Sequence, residues 1–461
     1  MENDGPGNCR RFGVRDASLP LRPLIKLMNG INGSASPRTG LTDCFIALWC
    51  VLMPVTSFLI IPSAQGTIPA YVLGFASVFL VLISRQDGQP SAQQTHYFKV
   101  ALIVAGIWLL LLCGSQLGHL LSNRHDFGEM FLNSPGDTRV VMRSVIFTQS
   151  LYLAACVCIA LFFRFYFRPE WMRYVLWGGW LLAIYGIYEW LFFLIFQQPG
   201  DFIANRTYGE DMQTGSWSQA IQLGSLNLLR IKSTFGEPSF FSAAVIPYLF
   251  IALQYKRKWL SAALLFCIVF STSTSAYIGF PFALVVYCFF QRKLNLSIAF
   301  IILLFVGILA GLYFAYPETF DSMFTAKLNA ENGSGEIHQG AIEAVNDTVR
   351  TFTLMNRLFG IGFGYYYGWV FNAVLVNTGW IGLLIYLYAF LKPVILLRAD
   401  HGGLAFKVAV ATIFFLYFIN VSELFLPTTW MFLGLAYWQL DQQTQEKRAP
   451  KIGAVRAAVP V

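Results

Sequence analysis

The chain has little charge. Only 12% of its 461 residues are Asp, Glu, Lys or Arg, about half the usual share of a soluble domain. No polar stretch is long enough to bury a core of its own, which excludes a separate soluble domain. No Asp-x-Asp pair occurs, so metal-assisted use of a sugar nucleotide is disfavoured. The 8 cysteines include no Cys-x-x-Cys spacing, and they fall in apolar runs or the N-terminal tail. Neither a zinc site nor a disulfide framework is implied. Internal repeats and low-complexity tracts are missing as well.

What fills the chain is apolar residue, 56% of it, with a mean hydropathy of +0.57. Apolar runs of about 20 residues recur, each long enough to cross a bilayer. The expectation is an all-α, polytopic membrane helix bundle of about twelve transmembrane helices. They fall near 41–63, 67–84, 98–118, 145–167, 174–196, 238–255, 259–272, 276–290, 295–315, 372–394, 404–426 and 428–440. The transmembrane domain is then 41–440, between an N-terminal segment 1–40 and a C-terminal tail 441–461.

The N-terminal segment carries Arg10, Arg11, Arg15, Arg22, Lys26 and Arg38 and lacks the short apolar region and cleavage site of a removed signal peptide. The first span therefore reads as a retained anchor. An even number of spans puts both termini on one side, together with 23 of the 32 Lys and Arg. By the positive-inside rule that side is cytoplasmic, and the net charge of +8 is an orientation signal, not a nucleic-acid footprint. Most polar residues of the opposite face lie in three loops, 119–144, 197–237 and 316–371. In the last, Ile337, Ala341, Ala344, Val345, Thr348, Phe352 and Met355 recur at steps of three and four. That spacing predicts an amphipathic helix over 337–355, resting on the membrane or the bundle.

The chain is organised around Arg230 to Phe241, R-I-K-S-T-F-G-E-P-S-F-F. Arg230 and Lys232 stand just before a long apolar run. Pro238 suits the first turn of a helix, which puts Glu237 at the cap position. Two cations, a carboxylate and a helix N-terminus at a membrane edge fit an anionic headgroup. Arg230 offers bidentate pairing to phosphate, or else meets lipid headgroups as a surface Arg. Lys232 either binds the same anion or snorkels. Glu237 either accepts a proton or orients an acceptor, or else merely caps the helix or pairs with Arg230 to shape the loop. His338 is a second candidate base, or a solvated His. Arg357 is a second phosphate contact, and Arg350 is either a third or an i,i+3 partner of Asp347. Glu189 lies inside a predicted span, where a charge usually pairs with a basic group or reaches water.

Three stretches together resemble the bacterial O-antigen polymerase and O-antigen ligase superfamily. They are R-I-K-S-T-F-G-E-P-S-F-F-S at 230–242, S-T-S-T-S-A-Y at 271–277, and L-F-G-I-G-F-G at 358–364 followed by N-T-G-W-I-G-L-L at 377–384. The match covers roughly Tyr174 to Phe390, and the E-P-S form looks more like the polymerases. The resemblance implies a glycosyltransferase in the bacterial inner membrane, with cytoplasmic termini and periplasmic chemistry. Its donor would be an undecaprenyl-pyrophosphate-linked oligosaccharide, with no metal and no cofactor. Arg230, Lys232, Arg350 and Arg357 would hold the pyrophosphate, and Glu237 or His338 would act as base. Membrane lipids, a chain-length regulator and a flippase are the implied partners, and nucleic acid is not. An O-antigen ligase or protein O-oligosaccharyltransferase is the alternative within this chemistry, and a lipid-linked oligosaccharide flippase the alternative outside it.

Overall fold

Proline sets several of the helix boundaries. The computed structural model describes residues 39–448 apart from 63, 87–88, 123–126, 128–129, 208–218, 224–225, 292–295, 324–342, 344, 348 and 401. Met1–Cys44 form one unit, described only from residue 39, and Phe45–Val461 form the other. The described chain is predominantly helical. In order come α1 (Thr39–Leu52), α2 (Pro69–Ile83), α3 (Ala92–Ser122), α4 (Val145–Tyr166) and α5 (Met172–Phe196). A short antiparallel hairpin follows, β1 (Ala220–Leu223) and β2 (Leu226–Leu229). Next are α6 (Pro238–Gln254), α7 (Lys258–Phe270), α8 (Thr274–Gln291), α9 (Leu296–Ala315) and the short α10 (Pro317–Met323) and α11 (Leu354–Phe359). The last three are α12 (Val370–Leu396), α13 (Leu404–Ile419) and α14 (Pro427–Arg448). α2, α6, α10 and α14 each open on proline, whose fixed φ and missing N–H fit a first helical turn.

Among the described residues, five helical segments are long and apolar enough to cross a membrane: α3, α4, α5 with the 3₁₀ turn before it, α8 and α12. Five more apolar helices are shorter. α6 is at the centre, because 14 of its 17 residues are buried, and a helix apolar all round must be surrounded. It packs on α7, α8 and α13, while α14 lies along α4.

The first expected span is interrupted. Helix α1 stops at Leu52, before Pro54, and the described residues between there and Pro69 run irregularly. Proline has no N–H to donate and its ring crowds the preceding turn. The irregular backbone is paired with other segments. Thr56 and Ser57 both donate to the Thr234 carbonyl at 3.0 Å, and the Ser57 carbonyl accepts from Asn205 at 3.1 Å and Arg206 at 3.0 Å. Such backbone is stable at membrane depth only inside protein or beside a cavity. The run 404–426 is shortened in the same way: α13 ends at Ile419, and 420–426 is irregular.

A glycine pair shapes α12. Gly379 interrupts it with φ 65° and ψ −168°. Gly360 faces it with φ 76° and ψ −170°. This region of backbone space is essentially reserved for glycine. A Cβ on Gly360 would strike the backbone of Asn377, and one on Gly379 the backbone of Leu358.

The amphipathic pattern over 337–355 is described only in part, but Val345 and Phe352 are buried as that pattern requires. They pack with Phe127, Met130, Ile361 and Tyr365. Next to them α11 sits on α3, where side chains in place of Gly114 and Gly118 would meet Phe359 and Asn356. Val345, Phe352 and α11 thus lie against the end of α3 and the 119–144 loop.

Candidate functional site

The three family-like stretches meet. The Ile231 N–H donates to the Phe270 carbonyl at 3.0 Å, tying 230–242 to the end of α7. Ser271, Ser273 and Ser275 of the following turn are buried, and Ser275 Oγ accepts from Asn420 Nδ2 at 2.6 Å. The Gly-rich turn pairs with α12 beside its break: Ile361 N donates to the Val376 carbonyl at 2.9 Å and Gly362 N to that of Asn377 at 3.3 Å. The Asn377 amide locks Tyr366, accepting from its N–H at 2.7 Å and donating to its carbonyl at 2.9 Å. Val370 N donates to the Val421 carbonyl at 3.0 Å, bringing 420–426 to the same end of the bundle.

Arg230 follows β2, its N–H bonded to the Gln219 carbonyl at 2.9 Å and its Nη1 to the Gln219 side chain. Its Nε is buried and has no hydrogen-bond partner among the described residues. Burial lowers its pKa, and the neighbouring Tyr277 and Glu237 oppose that shift. Glu237 occupies the N-cap of α6 with extended backbone, φ −138° and ψ 151°, but its side chain makes no cap bond. Its Oε2 accepts from Ser239 Oγ at 2.8 Å instead. Tyr367 has the Glu237 carboxylate among its electrostatic neighbours. Its hydroxyl shares a 3.0 Å bond with Ser422 Oγ. Surrounding protein and then the Glu237 carboxylate push its pKa up, yet the residue is 45% exposed. It is therefore not part of the packed core.

Lys232 points the other way. Its side chain and that of Glu189 are both 0% exposed, with Nζ 2.9 Å from Glu189 Oε1. Nζ also pairs with Asp201, whose side chain is 3% exposed. The Ser233 N–H donates to Glu189 Oε2 at 3.1 Å, and the Tyr185 hydroxyl to Asp201 Oδ1 at 2.8 Å. Glu189 has found its basic partner inside the protein. The Lys232 ammonium is engaged by two carboxylates and presents no charge to an external phosphate.

The remaining expected site residues do not join Arg230. Arg350 makes a 3.4 Å pair with Asp347, with both side chains more than three-quarters exposed. Arg357 is exposed in the last turn of α11. His338 lies outside the described residues.

The sequence does not single out Arg206, Glu423 or Asp201, yet all three lie at this end with Tyr367. Arg206 Nη2 is 3.4 Å from Glu423 Oε2. Glu423 had a legible signal, a carboxylate inside a predicted span, of the same kind that marked Glu189. Among the described residues, no three His, Cys, Asp or Glu side chains are grouped to hold a metal ion. No protein-family model matches the chain, and neither do characterised proteins or solved structures.

Proposed function

We propose that this protein is a metal-independent membrane glycosyltransferase. It polymerises undecaprenyl-pyrophosphate-linked oligosaccharide repeat units into a surface polysaccharide at the periplasmic face of the bacterial inner membrane. The observation that carries the reading is the electrostatic proximity of Arg230 and Glu237 at the start of α6, beside the serine-rich turn that follows Phe270. Arg230 brings a guanidinium with an unpartnered Nε among the described residues. Glu237 brings a carboxylate that is not used as a helix cap.

In this reading an acceptor hydroxyl attacks the anomeric carbon, the glycosidic bond to the lipid diphosphate breaks, and the hydroxyl proton passes to Glu237. The departing diphosphate gains charge, which Arg230 and the N–H groups at the start of α6 stabilise. Transfer to a finished core or to protein would use the same steps, and only the acceptor separates those alternatives.

The test uses purified full-length protein in nanodiscs with lipid-linked repeat units. Wild type should lengthen the glycan. Arg230→Ala should lower the rate by about 10²–10³, as loss of one preorganised charge donor does. Arg230→Lys should recover only part, because it keeps charge without the fork. Full polymer formation by Arg230→Ala would remove Arg230 from the site. A wild type that moves the lipid-linked unit between leaflets and never lengthens it would show a flippase instead.

A further inference from the structure

A cleft of about 660 Å³ lies at the N-terminal end of α3, against Pro90 of the short antiparallel hairpin Arg85–Gln86 and Gln89–Pro90. Its walls are Gln94, Thr95, Phe98, Lys99, Leu102 and Ile103, which recur at steps of three and four and so share one face of the helix. That face changes character along its length. Ser91 caps the helix, its Oγ accepting from the Gln94 N–H at 3.1 Å and its carbonyl from the Thr95 N–H at 3.0 Å. The first turn carries the partial positive charge of a helix start. Lys99, one turn on, is exposed and pairs with no carboxylate among the described residues. Beyond it Leu102 and Ile103 are 72% and 51% exposed. Only 17% of the apolar stretch of α3 is buried inside the protein, and a helix this apolar and this uncovered faces lipid. Gln94 is different. It is 6% exposed, and its Oε1 is buried with no hydrogen-bond partner among the described residues. A buried acceptor left unmet is costly, and this one borders the cleft.

These walls set three requirements for an occupant: negative charge for Lys99 and the helix start, a hydroxyl donor for Gln94 Oε1, and hydrocarbon for Phe98, Leu102 and Ile103. A free phosphate lacks the hydrocarbon, and a zwitterionic headgroup brings no net charge to the cation. We propose that this cleft seats one anionic glycerophospholipid with headgroup hydroxyls, of the phosphatidylglycerol class. Its phosphate lies at Lys99, a headgroup hydroxyl donates to Gln94 Oε1, and its chains follow Phe98, Leu102 and Ile103 into the bilayer. The seat is at the other end of α3 from Gly118, where α11 packs, and roughly 36 Å of helix separates the two. The assignment needs only that α3 crosses a membrane and is independent of the glycosyltransferase reading.

The experiment uses full-length protein, stripped of lipid in detergent and titrated with dioleoyl phosphatidylglycerol under native mass spectrometry. Wild type should bind its first such lipid about tenfold more tightly than later ones, and about tenfold more tightly than dioleoyl phosphatidylethanolamine. Gln94→Leu and Lys99→Gln should each weaken that first binding by about tenfold. Lys447→Gln, which removes an exposed cation from α14, should leave it within about twofold. Glycerol 3-phosphate has the charge and hydroxyls without the chains, and about a hundredfold excess should not displace the lipid. Lys99 is exposed, so Lys99→Gln reads the seat even where Gln94→Leu disturbs folding. Unchanged first-lipid binding in Lys99→Gln would overturn the seat by itself, and so would an equal loss in Lys447→Gln. Equal binding of the ethanolamine lipid would overturn the anionic assignment, and displacement by glycerol 3-phosphate would make the ligand a soluble phosphate instead of a lipid.

Discussion

Arg230 and Lys232 are separated by one residue and have opposite surroundings. Both stand in the sequence as cations just before a span. Which one is neutralised depends on Glu189 and Asp201, and their proximity exists only once α5 packs behind the loop. A buried ion triad is weak evidence for stability, but removing one member leaves charge uncompensated, at about 3–5 kcal/mol. Lys232→Met should therefore lower the thermal midpoint sharply, because Glu189 and Asp201 would then face each other. The triple variant Lys232→Met, Glu189→Gln, Asp201→Asn should recover most of the loss. Tryptophan-fluorescence melts in detergent decide it. A Lys232→Met protein that melts like wild type but no longer binds lipid-linked donor would return Lys232 to the phosphate site.

Among the elements, hydropathy located most of the helices, and proline located several of their starts. α6 begins at Pro238 as its sequence implies. The failures are at 53–63 and 420–426, where apolar residues continue after the helix ends. Hydropathy reports what can be buried, and it does not report which backbone a buried segment adopts. Pro54 carried the missing signal, while Ile60 and Ile61 masked it. Three glycines within 360–364 mark a sharp return of the chain, but their partner Gly379 does not stand out, since a lone glycine in an apolar run reads as helix. Gly379→Ala should cost about 1–3 kcal/mol for its φ of 65° alone, with more for the collision with Leu358. Gly307→Ala in α9 is the control. A Cβ there meets nothing within 4 Å, so helix propensity should favour Ala by about 1 kcal/mol. Equal melting of the two variants would mean that the 360–379 contact does not constrain α12.

For the whole molecule, hydrogen bonds gather the irregular segments 53–68, 201–206, 230–237, 271–275, 360–369 and 420–426 at one end of the bundle. Arg230, Glu237, Arg206 and Glu423 are all there. The other end holds ordinary turns, with Arg164 on Asp441 and Gln443 on Arg398. The candidate site was thus half legible. Its motif residues could be read directly, but Arg206 and Glu423 acquire meaning only from a contact across 217 positions. If the excess of basic residues beside the termini orients the bundle, the site end faces away from the cytoplasm. Single cysteines in a cysteine-free background test this at Phe202, 71% exposed, and Leu354, 72% exposed, against the exposed Glu446 on α14. An impermeant maleimide added to cells with a permeabilised outer membrane should label positions 202 and 354 alike, and label 446 only after the inner membrane is broken. Labelling of just one of the first two would separate the two loops to opposite faces. Immediate labelling of 446 would invert the protein, place the candidate site on the cytoplasmic side, and leave a periplasmic polymerase without its site.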